Sequence, residues 1–251
     1  MMKIIVAQKQ MNLPRLIVVA FSAIVALSGN LLGAKAEETR SGNSGRTFAD
    51  WCRTRASLSP EAKHTLEMML KQAGTTECDV ADRKLSSLTE LNLGFNQISD
   101  ITPLQSLTKL TRLFLGYNQI SDIKPLQSLT NLTILHLYNN KISDIKPLQS
   151  LTKLTALVVS INQISDIKPL ESLTNLTWLQ LNHNQISDIK PLHSLTKLTV
   201  LRIDNNKISD IKPLQSLTRL TELRLSGNPI APKTCPLKPA SICKWEPPPL
   251  P

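Results

Sequence analysis

Leucine and isoleucine recur at a constant spacing through the middle of the chain. The pattern repeats every 22 residues. Within each copy, two leucines alternate with variable residues, which is the period of a half-buried strand. A proline later in each copy interrupts any long helix, so we expect the chain to return through a short 3₁₀ or extended arm. Seven copies begin at Leu85, Leu107, Leu129, Leu151, Leu173, Leu195 and Leu217.

These copies predict an α/β repeat fold. The copy at residues 107–128 contains L-x-x-L-x-L-x-x-N-x-I, the signature of a leucine-rich repeat. A single copy cannot bury its own leucines and has to stack on the next one. We therefore predict a leucine-rich repeat right-handed solenoid over residues 85–230, with a parallel concave β-sheet, short 3₁₀ or extended convex arms and an N-terminal helical cap.

An asparagine stands at the same place in every copy. Its amide has two donors and one acceptor, which can bond the backbone of its own turn and of the neighbouring copy. We therefore expect a structural asparagine ladder. Its members are Asn96, Asn118, Asn140, Asn162, Asn184, Asn206 and Asn228.

The segment after the asparagine is the most distinctive part of the repeat. In the copy at residues 107–128 it reads ISDIKPL. On this motif and the signature before it, residues 85–230 resemble the bacterial internalin-type leucine-rich repeat proteins. The resemblance implies extracellular recognition. The chain lacks the sorting signal, cell-wall repeats and immunoglobulin-like module of that family's usual layout, so adhesion or host invasion is not expected to carry over.

The two ends of the stacked core need covers. We expect residues 37–84 to form an N-terminal helical cap, in which Ser59 caps a helix that starts at Pro60 and ends at Gly74. Residues 231–251 are expected to form a C-terminal cap with a proline-rich tail.

Two cysteines lie in each predicted cap. In an exported chain, we expect the disulfides Cys52–Cys78 and Cys235–Cys243, so that each bridge fastens one cap. The other pairings stay open at this point, although they would require the two ends of the solenoid to meet.

The first 36 residues have the pattern of a secretory signal peptide. Basic residues precede an apolar run at 16–27, and small residues at Ala34 and Ala36 form an A-x-A cleavage site. An uncleaved anchor is the alternative, because residues 16–32 are almost long enough to span a bilayer. We expect cleavage, no remaining membrane span, and a secreted protein that is extracellular or in the periplasm or cell envelope.

Composition and charge narrow the function classes further. With 41% apolar and 19% charged residues, the chain is not typical of intrinsic disorder. The formal net charge is +10, of which +4 lies in the first 36 residues. The remaining +6 is ordinary for a soluble protein. We therefore expect that the protein does not bind nucleic acid. We also expect a monomer.

The copies differ mainly at positions that alternate with the buried leucines or immediately follow them. Strand geometry places these positions on the concave side. Solvent positions on the convex arm vary much less, so free drift of exposed residues does not explain the concave differences. We therefore predict that the concave face binds another protein, and that the chain is an exported, non-catalytic binding module.

All aromatic residues of the repeats stand in these concave positions. With Ile134, Val158, Ile161 and Val200 they are expected to form an exposed apolar patch, and such patches mark interaction sites. The predicted partner-binding residues are Phe95, Arg112, Phe114, Tyr117, Ile134, His136, Tyr138, Ile161, Trp178, Gln180, His183, Arg202 and Arg224.

A lysine stripe on the convex arm offers an alternative function. It would bind an anionic polysaccharide or a cell-envelope polymer, and this binding would weaken steeply with ionic strength. A second alternative is a purely structural spacer. The lysine stripe consists of Lys124, Lys146, Lys168, Lys190 and Lys212.

No group of residues predicts catalysis or a resident cofactor. His136 and Ser160 lie in adjacent copies, but no orienting acid or oxyanion-hole motif accompanies them. His136 and His183 are two copies apart, too far to share an ordinary zinc ion. An aspartate precedes each stripe lysine by two residues, and we expect it to accept backbone N–H groups rather than to bind calcium. No enzyme activity, metal or cofactor is therefore expected.

Overall fold

The computed structural model describes residues 45–246, and the predicted signal peptide lies outside this range. Each 22-residue copy forms one coil, and the coils are numbered 1 to 7 from the N-terminal side. Three helices lie at the N-terminal end, and the third extends into the start of coil 1. They are α1 Phe48–Arg53, α2 Pro60–Ala73 and α3 Cys78–Ser87.

Every coil contributes one short strand, and all strands join a single parallel sheet in sequence order. Neighbouring strands pair at equivalent repeat positions, so that Leu113 lies opposite Leu135. Because this register is constant, each column of the sequence repeat becomes a row of side chains across the sheet. The strands are β1 Glu90–Asn92, β2 Arg112–Phe114, β3 Ile134–His136, β4 Ala156–Val158, β5 Trp178–Gln180, β6 Val200–Arg202, β7 Glu222–Arg224 and β8 Cys243–Lys244.

The convex arms contain 3₁₀ turns with proline in the first turn, as the sequence predicts. In coil 2, the Oδ1 atom of Asp122 accepts the backbone N–H of Lys124 at 2.8 Å. The same bond recurs in the following coils, so these aspartates close a local turn. The 3₁₀ turns are Thr102–Ser106, Lys124–Ser128, Lys146–Ser150, Lys168–Ser172, Lys190–Ser194 and Lys212–Ser216.

The predicted asparagine ladder is present from Asn118 to Asn228, whereas the side chain of Asn96, its expected first member, bonds only within its own coil. Asn118 shows the chemistry of the ladder. Its Nδ2 donates to the carbonyls of Leu93 and Leu115 at 2.9 and 3.0 Å. Its Oδ1 accepts the backbone N–H groups of Asn96 and Ile98 at 3.1 and 2.9 Å. One buried amide therefore satisfies backbone groups in two coils where no strand pairing is available.

The N-terminal cap contains three helices, whereas the sequence analysis identified one. That helix, α2, has the predicted ends, because the Ser59 Oγ accepts the Ala62 N–H at 3.1 Å and Gly74 is left-handed with φ 65°. The Oγ1 of Thr65 on α2 donates to the carbonyl of Asp100 at 2.6 Å, which docks the cap on coil 1. Leu85, the first position of the repeat pattern, lies on α3.

Each cap holds one disulfide. Cys52 of α1 is bonded to Cys78 of α3, and Cys235 is bonded to Cys243 of β8. These are the two pairs expected from the sequence. The second bridge fastens β8, which adds one further strand to the sheet beyond coil 7 and which the sequence analysis did not anticipate. Trp245 packs against the end of the core.

Candidate protein-binding face

The outer positions of each strand lie on the face opposite the core leucines. In β2, Leu113 is buried, while Arg112 is exposed and Phe114 is half-buried. The constant register brings the predicted strand residues into two rows. The predicted residues that follow the strands form a third and a fourth row beside them. Most of the predicted partner-binding residues lie in three groups: an aromatic cluster, a groove at coil 4 and an arginine pair.

The aromatic cluster spans coils 1 to 3. Phe95 stacks on Tyr117 with ring centroids 4.3 Å apart, and Tyr117 meets the edge of Tyr138 at 5.0 Å. His136 contacts Tyr138 at 6.4 Å and Phe114 at 4.9 Å. These edge-to-face and stacked contacts are the arrangements that aromatic rings prefer. The five rings thus form one continuous surface.

The groove at coil 4 exists because this coil carries small side chains between two coils with large ones. Ala156, Val158 and Ser160 line its floor, and the walls include His136 of coil 3 and Trp178 of coil 5. Its volume is about 710 Å³. Ile134, Tyr138, Ile161 and Gln180 also line this groove.

The arginine pair lies on coils 6 and 7. The Nε atoms of Arg202 and Arg224 donate to the same oxygen, Oε1 of Glu222, at 2.9 and 2.6 Å. The guanidinium carbon of Arg202 also lies 5.5 Å from the ring centroid of Trp178. Glu222 stands in a variable concave column but is not among the predicted site residues. Its role depends on a cross-coil contact that only the register reveals.

The remaining predicted residues lie outside these groups. Arg112 forms an ion pair with Glu90 at the N-terminal side of the sheet. His183 contacts the amide of Asn205, with 3.2 Å between Nε2 and Nδ2.

Two members of the expected apolar patch are not exposed. Val158 retains 8% and Val200 9% of its accessible surface, so the expectation that they are exposed is wrong. Both side chains are short and stand between longer ones on the adjacent strands. The exposed large apolar residues among residues 45–246 are Phe95 (70%), Tyr117 (42%), Ile161 (44%) and Trp178 (36%).

One row of the face has a left-handed backbone, a feature that the sequence analysis missed. φ is 61° at Phe95 and 54° at Ile161. This conformation is uncommon for any residue with a side chain, and for a β-branched residue it is a clear outlier. The sequence contained a signal for this conformation, because Asn and Gly, which tolerate a left-handed backbone, also occupy this column. The row consists of Phe95, Tyr117, Asn139, Ile161, His183, Asn205 and Gly227.

Two titratable groups of the face have shifted pKa values. Burial lowers the pKa of His136, which stands between aromatic rings. For Glu222, burial raises the pKa, but the hydrogen bonds from Arg224 and Arg202 outweigh this effect and the pKa is lowered. Glu222 is therefore held as a carboxylate between the two guanidinium groups.

Within residues 45–246, no three His, Cys, Asp or Glu side chains are grouped as a metal site would require. No helix in this range is both long and apolar enough to cross a membrane.

A parallel sheet built from 22-residue coils, with an asparagine ladder behind it, defines the leucine-rich repeat class of proteins. The family model for leucine-rich repeats matches residues 86–128, 130–172, 174–216 and 197–238. The chain belongs to this family, and within it to the internalin type, as its structural neighbours show.

Three solved structures illustrate the likeness. An internalin from Listeria monocytogenes is 42% identical with a TM-score of 0.62, and the match covers 66% of this chain and 49% of that one. Internalin C2 from the same organism is 35% identical with a TM-score of 0.61, covering 70% and 88%. A leucine-rich repeat protein from Leptospira interrogans is 30% identical with a TM-score of 0.59, covering 66% and 44%. The comparison with curated proteins gives no match.

The chain thus spans about half of the length of the first of these structures and less than half of the third.

Proposed function

We propose that the protein is an exported, non-catalytic module that binds another protein through its concave face. The observation that carries this proposal is the exposed stack of Phe95 on Tyr117. Water contact with a large apolar ring is unfavourable, and the left-handed backbone of both residues costs further free energy. The left-handed turn belongs to every coil, but an exposed aromatic residue at this position does not benefit the isolated fold. A partner that covers the rings would account for their presence there.

The extent of the face supports a protein rather than a small molecule. Strands spaced about 4.8 Å apart spread seven coils over roughly 29 Å. With the adjoining turn rows, this is enough for about 800 Å² per partner, the size of a standard protein interface. The aromatic cluster, the coil-4 groove and the arginine pair follow one another along this length. Buried aromatic and arginine side chains are the residue types that dominate binding hot spots.

The lysine stripe offers less for recognition. Each of its lysines is preceded two residues earlier by an aspartate in the same exposed arm, as Asp144 precedes Lys146. Cationic and anionic groups therefore alternate along the convex side. An anionic polymer that approaches the ammonium groups also meets the carboxylates, which offset the attraction. This alternation of charges makes the convex side a weaker candidate for binding than the concave face.

A capture experiment tests the proposal. The immobilised protein is exposed to proteins of its native extracellular and envelope fraction, beside a concave variant with Phe95→Ala, Tyr117→Ala and Trp178→Ala. A convex control carries Lys124→Gln, Lys146→Gln and Lys168→Gln. We expect one protein to be retained by the parent and the convex control and lost by the concave variant. Equal capture by the parent and the concave variant, with release by moderate salt, would overturn the proposal and favour the lysine stripe.

Thermal unfolding of the three proteins serves as the control for folding. The three replaced aromatic residues lie outside the leucine core, and the replaced lysines are exposed. All three proteins should therefore unfold cooperatively at similar temperatures. A loss of capture then reports on the surface and not on the fold.

A further inference from the structure

The coil-4 groove has the width of a single side chain. Its floor residues stand directly between the strands that carry its walls, since Ala156 pairs with both Ile134 and Trp178 in the sheet. Two strand spacings separate the walls, about 10 Å between their backbones. The side chains of His136 and Trp178 narrow this gap further. The groove is therefore suited to one large apolar or aromatic side chain that enters from the concave side.

The arginine pair is suited to an acidic group. Glu222 uses one oxygen to bind the Nε atoms of both arginines, which orients the two guanidinium groups. Within the described part of the chain, the Nη atoms of Arg202 and Arg224 have no hydrogen-bond partner. An arginine fork can bind a carboxylate through two parallel N–H groups. The cluster presents such donors on side chains that are only 30% and 25% exposed, so they are already largely fixed in position.

The charge of this cluster matches a single negative charge. Two guanidinium groups and one carboxylate leave a net charge of +1, because the hydrogen bonds keep Glu222 ionised. A carboxylate neutralises this charge. A doubly charged phosphate or a sulfated polymer would leave excess negative charge close to Glu222. The neighbouring apolar groove also requires a side chain that a polysaccharide does not have. A polypeptide segment satisfies both requirements.

The spacing of the two sites limits the sequence of that segment. Coils 6 and 7 lie two and three strand spacings beyond coil 4, which is about 10 to 14 Å. An extended chain advances about 3.3 Å per residue, so three to four residues cover this distance. The path between the sites crosses Trp178, which is 36% exposed, and Val200, which is buried beneath the surface of the concave face. An extended segment that runs across the strands would therefore pass over the Trp178 ring between the two sites.

We propose that the coil-4 groove and the arginine pair together bind an extended polypeptide segment of the partner. This segment carries a large apolar side chain and, three or four residues away, a carboxylate side chain. The inference rests on the proposed function, since it specifies what part of a protein partner the concave face contacts.

A library of random 12-residue peptides, displayed on phage and selected on the protein, tests the spacing. We expect selected peptides to share a large apolar residue and an Asp or Glu three or four positions apart. A selection with no shared sequence, or with a shared sequence that lacks the acidic residue, would overturn the inference.

Synthetic peptides with the selected sequence then test the two sites separately. The variant with Arg202→Gln and Arg224→Gln should bind about tenfold more weakly. It should show no such loss with a peptide in which the acidic residue is replaced by its amide. Ala156→Phe should obstruct the floor of the groove and reduce binding by a similar factor. The charge-matched control, Lys168→Gln with Lys190→Gln, should bind like the parent.

Equal affinity of the parent, the double arginine variant and Ala156→Phe for the selected peptide would contradict the inference. Circular dichroism checks that each variant is folded, and Ala156→Phe remains informative if removal of the arginines disturbs Glu222. The outcome is also separable from that of the capture experiment. A partner that depends on the concave face but shares no such sequence would overturn only this inference. A partner captured equally by the concave variant would overturn the proposed function itself.

Discussion

Phe95 and Tyr117 stack with their ring centroids 4.3 Å apart while both residues hold a left-handed backbone. The two features have one origin. The residue in this row turns the chain away from the strand, and the left-handed turn is repeated in every coil from 1 to 7. The constant register then brings successive side chains of the row together. A row that only needed to turn would contain Asn or Gly, as it does at Asn139, Asn205 and Gly227.

The first prediction concerns the free energy that the left-handed backbone of this row costs the folded protein. Ile161→Asn should raise the free energy of unfolding by about 1 kcal/mol, because Asn tolerates the left-handed conformation and Ile161 is 44% exposed. Urea denaturation measures the change. The matched control is Ile134→Asn, the same replacement on strand β3, where we expect no gain in stability. Equal destabilisation by both replacements would show that Ile161 stores no backbone strain.

The same replacement at Ile161 should weaken partner binding, because Ile161 lines the coil-4 groove. Stability and binding should therefore change in opposite directions at this position. Such opposition is typical of functional residues that are held in strained conformations.

The second prediction concerns the asparagine ladder. Asn118→Ala should lower the free energy of unfolding by about 1–3 kcal/mol, because it leaves buried backbone groups of two coils without partners. Asn96→Ala is the control, since the Asn96 side chain makes a single hydrogen bond, to the carbonyl of Gly94. Denaturant unfolding should show a clearly smaller loss for Asn96→Ala. Similar losses at both positions would refute the cross-coil role of the ladder.

The third prediction concerns pH. Burial lowers the pKa of His136 in the folded protein, so the unfolded chain takes up the proton first as the pH falls. The contribution of this residue to stability is therefore fully present above the unfolded pKa of about 6.5 and is lost as the pH falls through the folded pKa. Unfolding should be measured between about pH 5 and pH 8 for the parent and for His136→Gln. The difference between the two proteins should change in that interval, and a constant difference would contradict the assignment.

The fourth prediction concerns the arginine pair. Glu222→Gln should lower the free energy of unfolding by about 1 kcal/mol, because it removes the carboxylate that two half-buried arginine side chains share. Glu90→Gln removes a carboxylate that forms a more exposed pair with Arg112, and this change should be close to neutral. Chemical denaturation measures the free energy of unfolding of both variants. A neutral result for Glu222→Gln would mean that the guanidinium groups are not held by this residue.

Much of the architecture follows from the repeat alone. A column such as Leu113 and Leu135 can be assigned to the core because one coil repeats the environment of the previous one. The same constancy places the variable columns on the concave face. Helix α2 was predictable from its local ends at Ser59 and Gly74.

The structure differs from the predictions where the environment of a residue is not repeated from coil to coil. Val158 and Val200 are buried because of the size of their neighbours on the next coils, which a single column does not show. Strand β8 depends on pairing of the C-terminal cap with coil 7. Helix α1 had a local signal that went unused, since Thr47 and Asp50 form a capping box at its start.

The most direct test of the concave face is photo-cross-linking in the native environment. A benzophenone amino acid replaces Tyr117, an exposed aromatic residue of the concave face, or Gln149, an exposed residue of a convex arm. Mass spectrometry then identifies any protein joined to each position. We expect one protein to be cross-linked at position 117 and not at position 149. Cross-linking of a partner at position 149 alone would contradict binding through the concave face.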